Sequence, residues 1–127
     1  MNLQLIAAVA LGGAIGSVAR YLVGIGSGRL FGMAFPWGTL IINVTGSFLI
    51  GTFIALFATR WDLSQVARVF LTVGICGGYT TFSTFSLDAF YLMERGELLS
   101  SAAYMIASVV MSVAALVAAI HLVRTVG

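Results

Sequence analysis

The sequence has few charged and polar residues, and each shortage excludes a class of protein. It contains no lysine, six arginines, four acidic residues and one histidine, so only 8% of its 127 residues are charged and the net charge is +2. This excess is too small for the basic surface that nucleic-acid binding requires. The polar surface is also too small for a water-soluble enzyme or a disordered chain. The single cysteine, Cys76, excludes a disulfide framework within the chain.

Apolar residues are abundant instead, and they occur in long uncharged runs. They make up 61% of the chain, whose mean hydropathy is +1.11, whereas soluble domains are about 45–50% apolar. Four uncharged stretches cover residues 1–19, 30–59, 69–87 and 98–123. Each comes close to the roughly 20 apolar residues with which an α-helix crosses a bilayer core. The sequence therefore predicts an all-α membrane protein with four transmembrane helices in a single domain, residues 1–127.

The breaks between these stretches have the residues that end and begin helices. A glycine-rich run at 24–29 predicts the end of the first helix. The only proline, Pro36, predicts the start of the second helix, with Trp37 at the depth of the membrane interface. Residues 60–64 and 94–97 predict two further short turns.

The charges flanking the four predicted helices are almost balanced across the membrane. With an even number of spans, both termini and the second turn lie on the same side. Three arginines then face two, or three if Arg20 is counted as flanking: Arg60, Arg68 and Arg124 against Arg29 and Arg95. Because an excess of positive residues fixes orientation, a near tie predicts insertion in both directions and hence an antiparallel homodimer. The alternative is that a weak bias still gives a single orientation.

The third stretch contains residues that disfavour a continuous helix. Gly77 and Gly78 are followed by a run of hydroxyl-bearing residues, GGYTTFSTF, near the middle of the membrane. Carbonyl groups released by a break at this depth must face protein, water or an ion, and broken helices often form ion sites. We therefore expect the third helix to be broken at mid-membrane. The alternative is close helix packing through Gly74 and Gly78, which form a G-x-x-x-G motif.

Polar side chains, all neutral except Asp88, recur at helical spacing in three of the predicted helices. They are Thr39, Asn43 and Ser47 in the second, Thr81, Thr84 and Asp88 in the third, and Tyr104, Ser108 and Ser112 in the fourth. Such stripes either hold helices together or line a wet path. Three stripes without an interior lysine or glutamate indicate a pore for a small ion rather than a proton-coupled pump. Asp88 could pair with an arginine.

Three segments of the sequence resemble the Fluc, or CrcB, fluoride channels. They are residues 12–21, 38–48 and, most specifically, 77–85, and the resemblance extends over the whole chain in length and number of spans. It implies a dual-topology homodimer in the bacterial cytoplasmic (inner) membrane. Two pores per dimer would export fluoride passively and so lower its toxicity in the cell. The resemblance also implies a structural sodium ion (Na⁺) at the dimer centre, bound by the backbone carbonyls of Gly77 and Thr80.

Fluoride is small and strongly hydrated, so a pathway for it must replace the lost water with hydrogen-bond donors. The candidates are the Asn43 amide and the hydroxyls of Thr39, Tyr104, Ser108 and Ser112. The family's paired phenylalanines correspond to Phe82 and Phe85, whose ring edges carry partial positive charge. From the residues alone these two would be packing residues. Arg20 is either a cation in the vestibule or, as its position favours, a structural residue bound to protein carbonyls.

Two other classes of protein share some of these features. A small multidrug-resistance transporter has a similar length, four spans and near-balanced charge. Its proton-coupled export requires a carboxylate inside the membrane, however, and the first predicted helix has none. An accessory membrane subunit would use the polar stripes only for adhesion. No nucleophile with an adjacent base and no cofactor motif is recognisable, so we expect no enzymatic activity.

Overall fold

Helices occupy almost all of the chain in this computed structural model, which describes residues 2–126. The first and last residues of the predicted domain, Met1 and Gly127, lie outside the described residues. The helical elements are α1 (Leu3–Phe31), α2 (Trp37–Thr59), α3 (Gln65–Val69), a π-helical stretch (Phe70–Cys76), α4 (Gly77–Tyr79), α5 (Phe82–Glu94) and α6 (Leu98–Val126). No β-strand occurs within residues 2–126, so the all-helical prediction is confirmed.

Three of these helices are long and apolar enough to cross a membrane. They are α1 and α6, with 29 residues each, and α2, with 23 residues. The fourth predicted span corresponds to residues 65–94, in which the longest regular helix, α5, has 13 residues. The four predicted helices are therefore three continuous spans and one interrupted segment. We call residues 65–79 of this segment its first half, and α5 its second half.

The first helix is longer than the sequence predicted. Residues 24–29 are helical, and α1 ends at Phe31, so the prediction that this glycine-rich run ends the helix is wrong. In a membrane the backbone groups of these residues have few partners other than each other, and this outweighs the low helix propensity of glycine. The end comes at Gly32, which has a φ of 78° and donates its N–H to the Gly28 carbonyl.

The remaining boundaries agree with the sequence predictions. Pro36 precedes α2, whose first residue is Trp37. Residues 60–64 separate α2 from α3, and residues 95–97 separate α5 from α6, with Glu94 as the last residue of α5. These short connections hold consecutive segments side by side.

The packing of the helices leaves the interrupted segment between α1 and the α2–α6 pair. The helices α2 and α6 pack along each other, with Gly51 of α2 against the Leu116 backbone. The first half of the segment packs mainly on α1, whereas α5 packs on α6. A core cluster joins α2, α5 and α6; it consists of Leu40, Phe85, Ala89, Leu92 and Tyr104.

Candidate functional site

The break in the third segment lies at Thr80 and Thr81. Both have extended backbone conformations, with φ and ψ of −81° and 158° at Thr80 and −152° and 121° at Thr81. The prediction of a broken helix is therefore confirmed, but Gly77 and Gly78 themselves remain helical. The interruption begins at Thr80, two residues after the glycine pair and at the start of the run of hydroxyl-bearing residues.

The glycines before the break bring the backbone of the first half against α1. A Cβ atom added to Gly78 would lie 2.6 Å from the Gly13 carbonyl oxygen, and one added to Gly74 would lie 2.9 Å from the Gly12 Cα. Backbone atoms cannot move aside as a flexible side chain can. Close packing through small residues and a broken helix, which the sequence presented as alternatives, thus occur together in adjacent parts of one segment.

Asn43 of α2 holds the broken backbone. Its Nδ2 donates to the Thr81 carbonyl oxygen at 3.0 Å, and the Thr81 N–H donates to its Oδ1 at 2.8 Å. The Thr81 hydroxyl in turn accepts the Thr84 N–H at 3.2 Å and caps α5. The sequence indicated Asn43 as a polar residue facing the interior, but gave no signal that both its amide groups pair with a backbone 38 residues away.

Other carbonyl groups near the break have no such partner. Within residues 2–126, no hydrogen bond reaches the backbone oxygen of Gly77 or Thr80. Gly77 is exposed, and the nearest atom to a Cβ added there would be the Thr72 carbonyl oxygen at 3.7 Å. The two oxygens that the family resemblance links to sodium are thus available to a donor or a cation.

Two cavities lie on either side of the break, and Thr81 lines both. The larger has a volume of about 710 Å³, and its lining includes Arg20, Thr39, Thr84 and Asp88. The smaller has a volume of about 400 Å³, and its lining includes Asn43, Phe82, Phe85, Ser108 and Ser112. Six of the seven predicted pathway residues therefore line one of two spaces that adjoin at Thr81.

The seventh, Tyr104, is fully buried and lines neither cavity. Its hydroxyl donates to Asp88 Oδ2 at 3.2 Å, and the Thr39 hydroxyl donates to the same oxygen at 2.6 Å. In the described chain the partners of Asp88 are these two hydroxyls and not an arginine, so the suggested arginine pairing is wrong. The sequence showed all three residues at interior positions but not their convergence.

Ser108 is the clearest unsatisfied group in the smaller cavity. Its side chain is buried, and its hydroxyl oxygen has no hydrogen-bond partner among residues 2–126. Buried polar atoms are normally paired, so such an exception calls for an explanation. Ser108 lines the smaller cavity, and its hydroxyl has no partner in residues 2–126 that competes with an ion reaching this position.

The two predicted phenylalanines form a row of rings with Tyr104. The centroids of Phe82 and Phe85 are 5.3 Å apart with an interplanar angle of 46°, and those of Phe85 and Tyr104 are 5.2 Å apart. Phe82 is 76% exposed in the single chain, whereas Phe85 is 8% exposed. One ring is thus anchored in the core and the other borders the open side of the smaller cavity.

Arg20 contacts the first half from α1. Its Nε donates to the Gly78 carbonyl oxygen at 3.2 Å, which is the contact expected of a structural arginine bound to a carbonyl. The residue also lines the larger cavity. From this one position Arg20 can therefore act both as a structural residue and as a cation in the vestibule.

Comparison with known proteins gives consistent matches over nearly the whole chain. The family described as CrcB-like protein, Camphor Resistance (CrcB), matches residues 7–120. The fluoride-specific ion channel FluC of Nitrobacter winogradskyi is 70% identical over 126 residues, which cover 99% of this chain and 100% of the relative. A protein of the same name from Agrobacterium fabrum is 58% identical over 119 residues, which cover 94% and 95%.

Proposed function

Because the chain belongs to the CrcB family, we propose that it is a fluoride-selective channel that exports fluoride passively from the bacterial cytoplasm. Relatives at 70% and 58% identity bear the name fluoride-specific ion channel. Ion channels are not enzymes, and the proposed activity involves no covalent step. The proposal places the protein in the cytoplasmic (inner) membrane, where it lowers fluoride toxicity.

The observation that carries the proposal is the pair of cavities adjoining at Thr81. An anion that leaves water loses its hydration shell, and the path must supply donors in its place. The Ser108 hydroxyl is buried and has no partner within residues 2–126, and Ser112 lies one helical turn further along α6. The ring edges of Phe82 and Phe85 border the same cavity and carry partial positive charge.

Fixed positive potential near the break favours an anion over a cation. Arg20 lines the larger cavity, where a guanidinium raises the local anion concentration. The second half of the segment, α5, begins at Phe82, so its positive N-terminal end lies beside the smaller cavity. Thr39 and Tyr104 hold the Asp88 carboxylate by two hydrogen bonds, which limits its repulsion of a passing anion.

A second, oppositely inserted copy would complete the pathway. In the single chain Gly77, Phe82 and Ser83 are exposed beside the break, and polar backbone at this depth cannot face lipid. A partner related by a two-fold axis would cover this face and give two equivalent pathways per dimer. The near balance of flanking arginines supports dual insertion.

The free carbonyl oxygens of Gly77 and Thr80 fit the proposed structural sodium. Two copies of the break facing each other would surround a point on the axis with hard oxygen ligands, which suit a small alkali cation without a carboxylate. Bound there, the ion would supply positive potential to a pathway that has no lysine. The residues themselves contribute a fixed geometry, since Asn43 holds the adjacent Thr81 backbone.

The experiment that tests the proposal is fluoride efflux from liposomes that contain the purified protein. We expect electrogenic efflux, detected with a fluoride electrode, that requires a potassium ionophore to balance charge and that chloride cannot replace. Drug export driven by a proton gradient would instead support the small multidrug-resistance alternative. Absence of any transport from folded protein would support an accessory subunit.

Dual insertion and the sodium site need separate measurements. A reporter at the C-terminus should be found on both sides of the membrane, and a signal from one side only would contradict the antiparallel dimer. Replacement of sodium by N-methylglucamine should lower the unfolding temperature of the dimer. An unchanged unfolding temperature would argue against a structural sodium ion.

A further inference from the structure

The two ends of the helix bundle use their arginines differently. At one end, which we call the Arg60 end, Arg60, Arg68 and Arg124 are accompanied by a single acidic side chain, Asp62. At the other end, the Arg95 end, two arginines are balanced by two glutamates: Arg29 and Arg95 with Glu94 and Glu97. Counting arginines alone makes the ends nearly equal, but counting all side-chain charges does not.

At the Arg95 end, protein groups satisfy the arginine in the turn. The Arg95 Nε lies 2.8 Å from Glu97 Oε2, and its Nη2 donates to the Ala34 carbonyl at 2.6 Å. The charge is thus compensated within the turn, and the side chain ties the α5–α6 turn to the α1–α2 connection. Arg95 therefore offers little attraction to an external anion, which leaves Arg29 as the single arginine of this end without an ion pair in residues 2–126.

At the Arg60 end, the arginines lack such compensation. None of the three forms an ion pair with an acidic side chain in residues 2–126, and all three are exposed. The Arg60 Nη2 donates to the Val123 carbonyl at 3.2 Å, which places this guanidinium beside the last turn of α6, the turn that contains Arg124. Two arginines without an ion pair in residues 2–126 therefore lie at the same end of the bundle, and one of them contacts the helix turn that carries the other.

Aromatic side chains accompany these arginines. Phe53 and Phe57 of α2 stack with an interplanar angle of 8°, and the Trp61 ring lies 6.4 Å from each. Trp61 is 41% exposed, and its backbone N–H donates to the Leu56 carbonyl, which fixes the turn against the end of α2. Tryptophan prefers the headgroup level of a bilayer, so the arginines lie where lipid phosphates are found.

We propose that the Arg60 end is a binding site for the headgroup of an anionic phospholipid. The guanidinium groups of Arg60 and Arg124 donate to the phosphate, since arginine binds phosphate oxygens in a fork geometry. Trp61 packs on the glycerol and the upper acyl chain. No residue of this site lines either cavity, so the proposal is independent of the fluoride pathway.

The test compares two arginines in equivalent helix positions. Arg124 and Arg29 each lie in the last turn of a 29-residue helix, and Arg124→Gln and Arg29→Gln remove the same charge. The full chain in an uncharged detergent is titrated with dioctanoyl-phosphatidylglycerol, and bound lipid is counted by native mass spectrometry. We expect about a fivefold weaker affinity for Arg124→Gln and no change for Arg29→Gln, from the usual attraction of one arginine to an anionic surface.

Three controls make the result decisive. Arg60→Gln with Arg124→Gln should weaken binding further, and an unchanged unfolding temperature shows that a variant is folded. Dioctanoyl-phosphatidylcholine should bind at least tenfold more weakly than the anionic lipid. Equal losses in Arg29→Gln and Arg124→Gln would overturn the proposal, and so would displacement of the lipid by an equal concentration of inorganic phosphate, which would identify a free-anion site instead.

Discussion

The two halves of the third segment pack against neighbouring helices in different ways. In residues 65–79 the contacts with α1 are made by backbone, because Gly74 and Gly78 leave no room for a side chain. In α5 the contacts are made by side chains, with Phe85, Ala89 and Leu92 in the core cluster. The first half is thus a fixed support, and the second half carries the groups that can interact with an ion.

Thr80 and Thr81 have extended backbones and separate the two halves of the segment. Asn43 connects the Thr81 backbone to α2. Its amide pairs with both backbone groups of Thr81, so the break has a defined geometry instead of fraying. A broken helix inside a membrane requires such a partner, since unpaired backbone groups there cost several kcal/mol each. This difference predicts that substitutions at the contact between the first half and α1 lower the stability of the protein. Substitutions in the second half should instead slow fluoride transport.

The largest effect should come from a side chain placed between α1 and the first half of the segment. The Cβ atom of Gly16→Ala would overlap the Ile75 carbonyl and lie 2.7 Å from the Tyr79 nitrogen, both of which are backbone atoms. Such overpacking costs about 1–3 kcal/mol or more, so we expect a lower unfolding temperature and loss of fluoride efflux together. Gly13→Ala is the matched control, because a Cβ at Gly13 has no neighbour within 4 Å. Equal behaviour of the two variants would contradict the tight backbone contact.

The next effect distinguishes transport from stability within α5. Phe82→Ile and Phe85→Ile both remove a ring edge while keeping apolar bulk, so efflux should fall at least tenfold in each. Phe85 is buried within the single chain, so Phe85→Ile should also lower the free energy of unfolding, by about 1–2 kcal/mol. Efflux at the wild-type rate in either variant would remove that ring from the pathway.

Asn43→Asp tests the link between the halves. The carboxylate can still accept the Thr81 N–H, but it no longer donates to the Thr81 carbonyl and places a negative charge beside it. We expect slower efflux with a folded dimer, whereas Asn43→Ala, which loses both bonds, should show the greater loss of stability. Normal efflux for Asn43→Asp between pH 6 and 8 would show that Asn43 serves only as a structural contact.

The smallest effect should come from the hydroxyls on Asp88. Thr39→Val and Tyr104→Phe each remove one of its two hydrogen bonds and leave the other, so each should lower the free energy of unfolding by about 1–2 kcal/mol. Because the two share an acceptor, the double variant should lose more than the sum. Additive losses, measured by denaturant unfolding in detergent, would show that the bonds are independent.

Much of this fold is predictable from the sequence, because a helix that crosses a membrane requires a long run of uncharged residues. Runs without charge predicted the spans, and the glycine and hydroxyl residues at 77–85 predicted the interruption. The helix α1 extends beyond the predicted end at residues 24–29, because the need of the backbone to satisfy its hydrogen bonds in lipid outweighs the low helix propensity of glycine. The partners of Asn43 and Asp88 were not predictable, since they depend on how separate helices rotate against each other.

The division of the third segment also bears on how the protein spans the membrane. With 13 residues, α5 is about 20 Å long, which is less than the roughly 30 Å thickness of the hydrocarbon layer. Neither half alone crosses this layer, whereas α1, α2 and α6 are each long enough to do so. The two halves therefore cross it only in series, and each depends on a different neighbour: the first half on α1 and the second half on α6.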